Sequence, residues 1–151
     1  MDGSYGDLPN DHRHKFKLFG TYALTRGFQA GTSLQVTSGM PINAFGFHPT
    51  DAFANTYGAA SFHDNGKLVP RGSRGRTPWL ISWDLNLRYQ PKWAGPRTTF
   101  GVDVFNFLNL QHATEVNQTA EAAAGVPDPS YRRPYQYQSP RSVRFRADLK
   151  F

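Results

Sequence analysis

Residues 79–89 of the chain read WLISWDLNLRY. Apolar side chains occupy every second position from Trp79 to Tyr89, and polar side chains such as Asp84 and Arg88 lie between them. Because side chains of a β-strand point alternately to opposite faces, this stretch predicts a strand with one apolar and one polar face. It is about ten residues long, close to the roughly 9–11 residues with which a tilted strand crosses a bilayer, whereas soluble strands usually have about 5–6.

Four further stretches show the same alternation. The predicted strands are 15–24, 28–37, 79–89, 98–108 and 142–151. The connections between them are short, long, short and long, the pattern of periplasmic turns and extracellular loops in outer-membrane barrels. The predicted fold class is therefore all-β: an antiparallel transmembrane β-barrel fragment of about five strands with two long extracellular loops. A helical turn is predicted at 120–124.

Composition narrows the possible functions. The chain is 15% aromatic, yet its mean hydropathy is -0.58, which fits strands that face lipid on one side and water on the other. It has no cysteine, which excludes disulfides and thiolate metal sites. No nucleotide-binding or hydrolase motif is present, so we predict neither an enzyme nor a cofactor. The net charge of +6 is spread over strands and loops, and nucleic acid is not an expected partner.

Five strands are too few to close a barrel around side chains, which takes about eight. An open sheet in lipid would leave two edges unpaired, at a cost of several kcal/mol for each unsatisfied backbone group. The chain also starts with a polar stretch rather than a signal peptide. We therefore expect residues 1–151 to be one incomplete domain, with further strands and the export signal upstream.

Several short motifs, in this order, resemble the C-terminal part of TonB-dependent receptors, and within them the Oar-like branch. Residues 11–14 read DHRH, similar to the family's Asp-x-Arg-His motif, and residues 38–41 read SGMP, similar to its Ser-Gly-x-Pro motif. Residues 84–87 read DLNL, and residues 105–109 read FNFLN, similar to its Phe-Asn-x-x-Asn signature. The motif positions are Asp11, Arg13, His14, Gly39, Pro41, Asp84, Asn106 and Asn109.

The resemblance implies a 22-stranded barrel in the outer membrane of a Gram-negative bacterium, plugged by an N-terminal domain and importing a scarce ligand. The implied partners are the lipid bilayer, the rest of the receptor with its plug and upstream strands, and the barrel-assembly machinery. TonB would act only through an N-terminal part that this chain lacks.

The C-terminal strand carries the most specific functional prediction. In the family, alternating apolar residues that end in an aromatic residue are read by the assembly machinery, which pairs with an exposed strand edge. The residues that would carry this barrel-assembly signal are Val143, Phe145, Leu149 and Phe151.

Other features have plainer interpretations. His12 and His14 flank an arginine with no pair of carboxylates nearby, so no metal site is predicted. The basic run of Arg71, Arg74 and Arg76 has two interpretations, a binding site for phosphate or lipopolysaccharide at the outer surface and a solvated loop before the third strand, and the solvated loop is the one expected. The alternative function is a soluble β-rich module that binds nucleic acid or glycan through aromatic strands and basic loops.

Overall fold

The computed structural model describes residues 3–56, 61–95 and 97–150. The chain divides into two compact units. The sheet unit comprises His14–Thr37, Leu80–Gln111 and Gln138–Phe151. The loop unit comprises Met1–Arg13, Ser38–Trp79 and His112–Tyr137.

The regular elements are almost all β-strands. In chain order the elements are β1 Lys15–Thr25, β2 Phe28–Thr37, α1 Ala52–Thr56, β3 His63–Asp64, β4 Lys67–Leu68, β5 Leu80–Tyr89, a 3-10 turn Lys92–Ala94, β6 Thr98–Phe105, β7 Ala113–Val116, β8 Glu121–Ala123, β9 Val126–Pro127, β10 Pro134–Tyr137 and β11 Ser142–Leu149. Within the described ranges, no helix has both the length and the apolar character needed to span a bilayer.

The sheet unit is one five-stranded antiparallel sheet in the order β1-β2-β5-β6-β11. This confirms the all-β prediction and the five predicted strands. Four boundaries differ slightly from the predicted ranges. β1 ends at Thr25 rather than at residue 24, and β5 begins at Leu80 rather than at residue 79; β6 ends at Phe105 rather than at residue 108, and β11 ends at Leu149 rather than at residue 151. The early end of β6 has a local cause, because Asn106 adopts a left-handed backbone conformation with φ 47°.

The register of the sheet places most of the large apolar side chains of the five strands on one face, whereas Phe19, Leu80 and Phe105 lie on the other. Leu18 pairs with Leu34, which pairs with Trp83. In the neighbouring strands, Val102 pairs with Phe145. A slip of one residue would move a whole strand's apolar set to the other face, so the alternation in the sequence and the observed register agree throughout the sheet.

This apolar face is exposed. Phe145 is 78% exposed and Tyr22 is 71% exposed. By contrast, apart from prolines, the buried apolar residues of the described chain all lie in the loop unit: Ile42, Ala44, Phe62, Val69, Ala113, Val116 and Ala120. The hydrophobic core of the protein therefore belongs to the loop unit, and the large apolar side chains of the sheet have no core of their own.

The loop unit is more regular than the predicted long loops. It contains the hairpins β3–β4 and β8–β9, the pair β7–β10 and the short helix α1. Asp51 caps α1, because its Oδ1 accepts the backbone N–H groups of Phe53 and Ala54 at 3.0 and 3.1 Å.

The predicted helical turn at 120–124 is wrong. Residues Glu121–Ala123 form β8, which turns back into β9 through Gly125 at φ 69°. The backbone N–H of Ala120 donates to the carbonyl of Phe45 at 2.7 Å. Tertiary hydrogen bonds thus override the helix propensity of the alanines.

Candidate functional site

The polar face of the sheet carries a charged cluster centred on Asp103. Register brings Asn86, Asp103 and Arg144 side by side on β5, β6 and β11. Arg144 donates from Nε and Nη2 to Oδ2 of Asp103 at 3.0 and 2.8 Å, and the amide of Asn86 donates to Oδ1. Asp103 is only 6% exposed, so the cluster is a satisfied buried charge rather than a free carboxylate.

A second arginine completes this cluster. Arg146 Nη2 lies 3.5 Å from Oδ1 of Asp103. Its guanidinium lies over Gly101, where a Cβ atom would come within 3.3 Å of Nε. Glycine at position 101 therefore gives the guanidinium room to lie flat on the sheet.

Two motif positions, Asp84 and Asn106, are joined by a hydrogen bond. The Asn106 backbone N–H donates to Oδ1 of Asp84 at 2.9 Å, and the Asn106 amide donates to the carbonyls of Leu110 and Ser139 at 2.8 Å. Asn109 also has a positive φ, 54°, and its Oδ1 accepts the backbone N–H of Arg141 at 3.0 Å. The Phe-Asn-x-x-Asn motif therefore forms the turn that ends β6.

A third set of motif positions meets in the loop unit. Arg76 Nη2 lies 2.5 Å from Oδ2 of Asp11 and 2.8 Å from Oδ2 of Asp7. Its Nη1 donates to the carbonyls of Asp11 and Gly39 at 2.9 Å. Arg13 also pairs with Asp7, at 2.8 Å. One guanidinium thus links the Asp-x-Arg-His motif to the Ser-Gly-x-Pro motif.

Asp11 and Arg76 of this cluster shift each other's pKa. The hydrogen bond from Arg76 holds the pKa of Asp11 below its ordinary value of 3.8, and this effect exceeds the opposing effect of desolvation. In turn, the hydrogen bond from Asp11 raises the pKa of Arg76. Both groups are therefore charged at neutral pH, and the cluster acts as a structural ion pair.

The remaining motif positions lie around these clusters. A Cβ atom on Gly39 would overlap the carbonyl oxygen of Thr77, so glycine allows two backbone segments to touch. Pro41 forms a β-bridge with Arg76, and His14 is exposed immediately before β1. In the structure, most of the motif residues make contacts that connect loops and turns.

The predicted assembly residues Val143, Phe145 and Leu149 lie on β11 and are all exposed on the apolar face. Phe151 lies outside the described residues. Since β11 is at one end of the strand order, its outer edge has no neighbouring strand in the described sheet.

The arginines of 71–76 are not all solvated, and for Arg76 that prediction is wrong. Its side chain is 23% exposed and makes the contacts given above. Arg74 pairs with Asp64, and Arg71 donates to the carbonyl of Gly6 at 3.4 Å.

Sequence reasoning also missed Glu121. This residue is 3% exposed, and its two carboxylate oxygens accept the backbone N–H groups of Phe47 and Asn65 at 2.8 and 2.5 Å. No sequence signal pointed to it, because its partners lie more than fifty positions away.

His12 Nδ1 lies 2.5 Å from the carbonyl oxygen of Ser38, within the loop unit. The described ranges contain no group of three or more His, Cys, Asp or Glu side chains placed to hold a metal ion.

The fold and these clusters define an all-β protein whose long antiparallel strands separate an exposed apolar face from a charged polar face. Comparison with curated proteins adds one relative: the chain is 32% identical over 124 residues to the TonB-dependent transporter Oar of Myxococcus xanthus. The match covers 79% of this chain and 11% of the relative, so the chain spans about a ninth of that protein's length. The similarity indicates a TonB-dependent receptor-like relationship, and the relative is a transporter rather than an enzyme.

No protein-family model matches the chain. No solved structure matches it either.

Proposed function

We propose that the chain is a five-strand segment of an outer-membrane β-barrel of the TonB-dependent receptor type, and that it contributes to uptake of a ligand across the outer membrane of a Gram-negative bacterium. The observation that carries this proposal is the exposed apolar face of the sheet, continuous across five strands in register. Burying one large apolar side chain contributes about 1.5–3 kcal/mol. A bilayer offers that burial to the whole face at once.

The strand lengths support the same proposal. β1, β2 and β5 have 11, 10 and 10 residues. A tilted strand of roughly 9–11 residues crosses the hydrocarbon core of a bilayer. The polar face, with Asp103 held by two arginines, would line a water-filled or protein-filled interior.

The edges of the sheet support its place in a larger barrel. β1 and β11 end the strand order and each has one neighbour in the described sheet. In hydrocarbon, each unpaired N–H or C=O group costs several kcal/mol, so both edges must pair with further strands. Upstream strands and a plug domain would be supplied by the remainder of the receptor, and TonB would contact a part outside this chain.

The outer edge of β11 suits a role in assembly. We propose that the assembly machinery pairs with this edge and reads Val143, Phe145, Leu149 and Phe151. Strand addition supplies main-chain hydrogen bonds for affinity, and alternate side chains supply the register.

A cysteine scan of β2 tests the membrane proposal, because the chain contains no native cysteine. Single cysteines would replace Leu34 and Val36 on the apolar face, and Ser33 and Gln35 on the polar face. The full chain is then refolded with phospholipid vesicles, where the open edges of its sheet can pair with the edges of other copies of the chain. The vesicles are treated with a membrane-impermeant maleimide.

We expect labelling at positions 33 and 35 and protection at 34 and 36. Equal labelling at all four positions in a chain that stays folded and monomeric without lipid would refute the membrane segment. That outcome would support the soluble β-rich binding module instead.

A further inference from the structure

Tight turns and strand ends form one edge of the sheet unit, which we call the turn edge. It consists of Arg26 and Gly27 between β1 and β2, residues 90–95 after β5, Arg97 before β6, and Lys150 after β11. The Gln90 backbone N–H donates to the carbonyl of Gly27 at 2.7 Å, and that of Lys150 donates to the carbonyl of Arg97 at 2.9 Å. These bonds tie neighbouring turns into a continuous edge.

The turn edge carries an excess of positive charge. Its four cations, Arg26, Lys92, Arg97 and Lys150, are all exposed. None of the four forms an ion pair with a carboxylate of the described chain. Asp148, near the end of β11, is the acidic residue closest along the sheet to this edge. The edge is therefore complementary to an anionic partner.

Two of these cations line a recess. It has a volume of about 320 Å³ and lies between Arg26 and Gly27 on one side and Gln90, Pro91, Lys92 and Gly95 on the other. A recess of this size, with a cation on either side, suits a phosphate-bearing headgroup.

Aromatic rings lie immediately inside the turn edge, on the apolar face. Register places Phe28, Tyr89 and Phe100 in one row across β2, β5 and β6. The Phe28 and Tyr89 rings stack with their centroids 4.1 Å apart. The ring centroids of Trp93 and Phe100 are 6.3 Å apart, and Trp93 is 79% exposed. Tryptophan and tyrosine prefer the level of the headgroups, where an apolar body and a polar tip are both accommodated.

We propose that the turn edge binds the headgroups of anionic phospholipids in the leaflet that faces the tight turns. This inference rests on the proposed membrane function, because it needs the apolar face to lie in the bilayer. The aromatic row sets the depth of the sheet, and the four cations then lie at the level of the phosphates. Each Lys or Arg near an anionic membrane surface strengthens binding by about fivefold.

Tryptophan quenching can test insertion of the apolar face and headgroup binding at the turn edge separately, because the chain has three tryptophans. A Trp79→Phe/Trp83→Phe variant leaves Trp93 as the reporter at the turn edge. A Trp79→Phe/Trp93→Phe variant leaves Trp83 as the reporter in the middle of the apolar face. Each full chain is refolded into phosphatidylcholine vesicles that contain either brominated phosphatidylglycerol or the same fraction of brominated phosphatidylcholine.

We expect Trp83 to be quenched by both lipids and Trp93 to be quenched more strongly by the brominated phosphatidylglycerol. Arg26→Gln/Lys92→Gln should remove most of that preference. The matched control, Lys15→Gln/Lys17→Gln, removes the same charge from the other end of β1 and should leave the preference intact.

Three results would overturn the inference without touching the membrane proposal. Equal quenching of Trp93 by the two lipids would show that the edge does not select anionic headgroups. An equal loss of preference in both double variants would show only long-range attraction by net charge. Full competition by millimolar inorganic phosphate would assign the recess to free phosphate rather than to a lipid surface. If neither lipid quenches Trp83, the membrane proposal fails, and this inference fails with it.

Discussion

Arg76 Nη2 lies 2.5 Å from Oδ2 of Asp11, a residue 65 positions earlier in the chain. The same guanidinium reaches Asp7 and the carbonyl of Gly39. A planar guanidinium can donate in several fixed directions at once. The Arg76 side chain therefore joins residues 7–11 and residue 39 to its own segment of the loop unit.

Replacing this guanidinium by an ammonium should loosen the loop unit. In Arg76→Lys, we expect amide hydrogen exchange at Met40 and Thr77 to become about tenfold faster. The Thr77 N–H donates to the Met40 carbonyl and the Met40 N–H donates to Thr77 Oγ1, and both bonds lie beside the cluster. The measurement is hydrogen exchange read by NMR or mass spectrometry. Arg132→Lys makes the same chemical change at an exposed residue of the same unit and should leave these amides unchanged. Equal protection in both variants would contradict the role given to Arg76.

The Asp11 carboxylate should show an acid-sensitive contribution to stability. Its folded-state pKa is lowered by the Arg76 hydrogen bond, so this contribution is complete above the ordinary value of 3.8. It is lost as the pH falls below 3.8 and through the folded-state pKa. A ¹³C NMR titration of the Asp11 carboxyl between pH 6 and pH 2 measures that pKa. In Arg76→Gln the pKa should return towards 3.8, and an unchanged titration curve would be inconsistent with the pairing.

Asn106 should be costly to replace by alanine. The change removes the side-chain bonds to Leu110 and Ser139 and puts alanine, which tolerates a left-handed backbone less well than asparagine, at this position, at a combined cost of about 3 kcal/mol. Asn106→Gly tolerates the backbone conformation and should cost less, which separates the two contributions. Urea unfolding in detergent micelles gives the free energy of unfolding for each variant. Similar values for the alanine and glycine variants would show that backbone strain contributes nothing.

A lysine placed on the apolar face should disturb membrane insertion, whereas one on the polar face should not. Phe145→Lys puts an ammonium towards lipid, at a cost of about 2–4 kcal/mol near the midplane of a bilayer. Thr21→Lys is the matched control on the polar face of β1. The fraction of protease-protected chain in vesicles measures insertion. If both variants insert equally well, the assignment of the two faces is wrong.

The strands of the sheet were predictable because a period of two is a local property. The alternation in residues 79–89 predicted β5 to within one residue, and β2 matches its predicted range of 28–37. Boundaries failed where a backbone conformation ended the strand, as at Asn106 after β6. The backbone N–H of Asn106 also donates to Asp84 on another strand, and sequence spacing alone does not reveal that partner.

The loop unit was poorly predicted for the same reason. Arg76 looked like a member of a solvated basic run, and Glu121 lay in a predicted helical turn. Both are held by partners far away in sequence, Asp11 and Asn65 among them. Local composition carries no information on which distant backbone groups a charged side chain will meet.

By itself, the sequence determined the antiparallel strands, their two unlike faces and the alternation of short and long connections, because side-chain alternation and turn residues act over a few positions. Only the tertiary structure decided the register of the sheet, the pairing of Asp103 with two arginines and the assembly of residues 38–79 and 112–137 into a folded unit. Those features arise from contacts between distant segments, and such contacts exist only once the chain has folded.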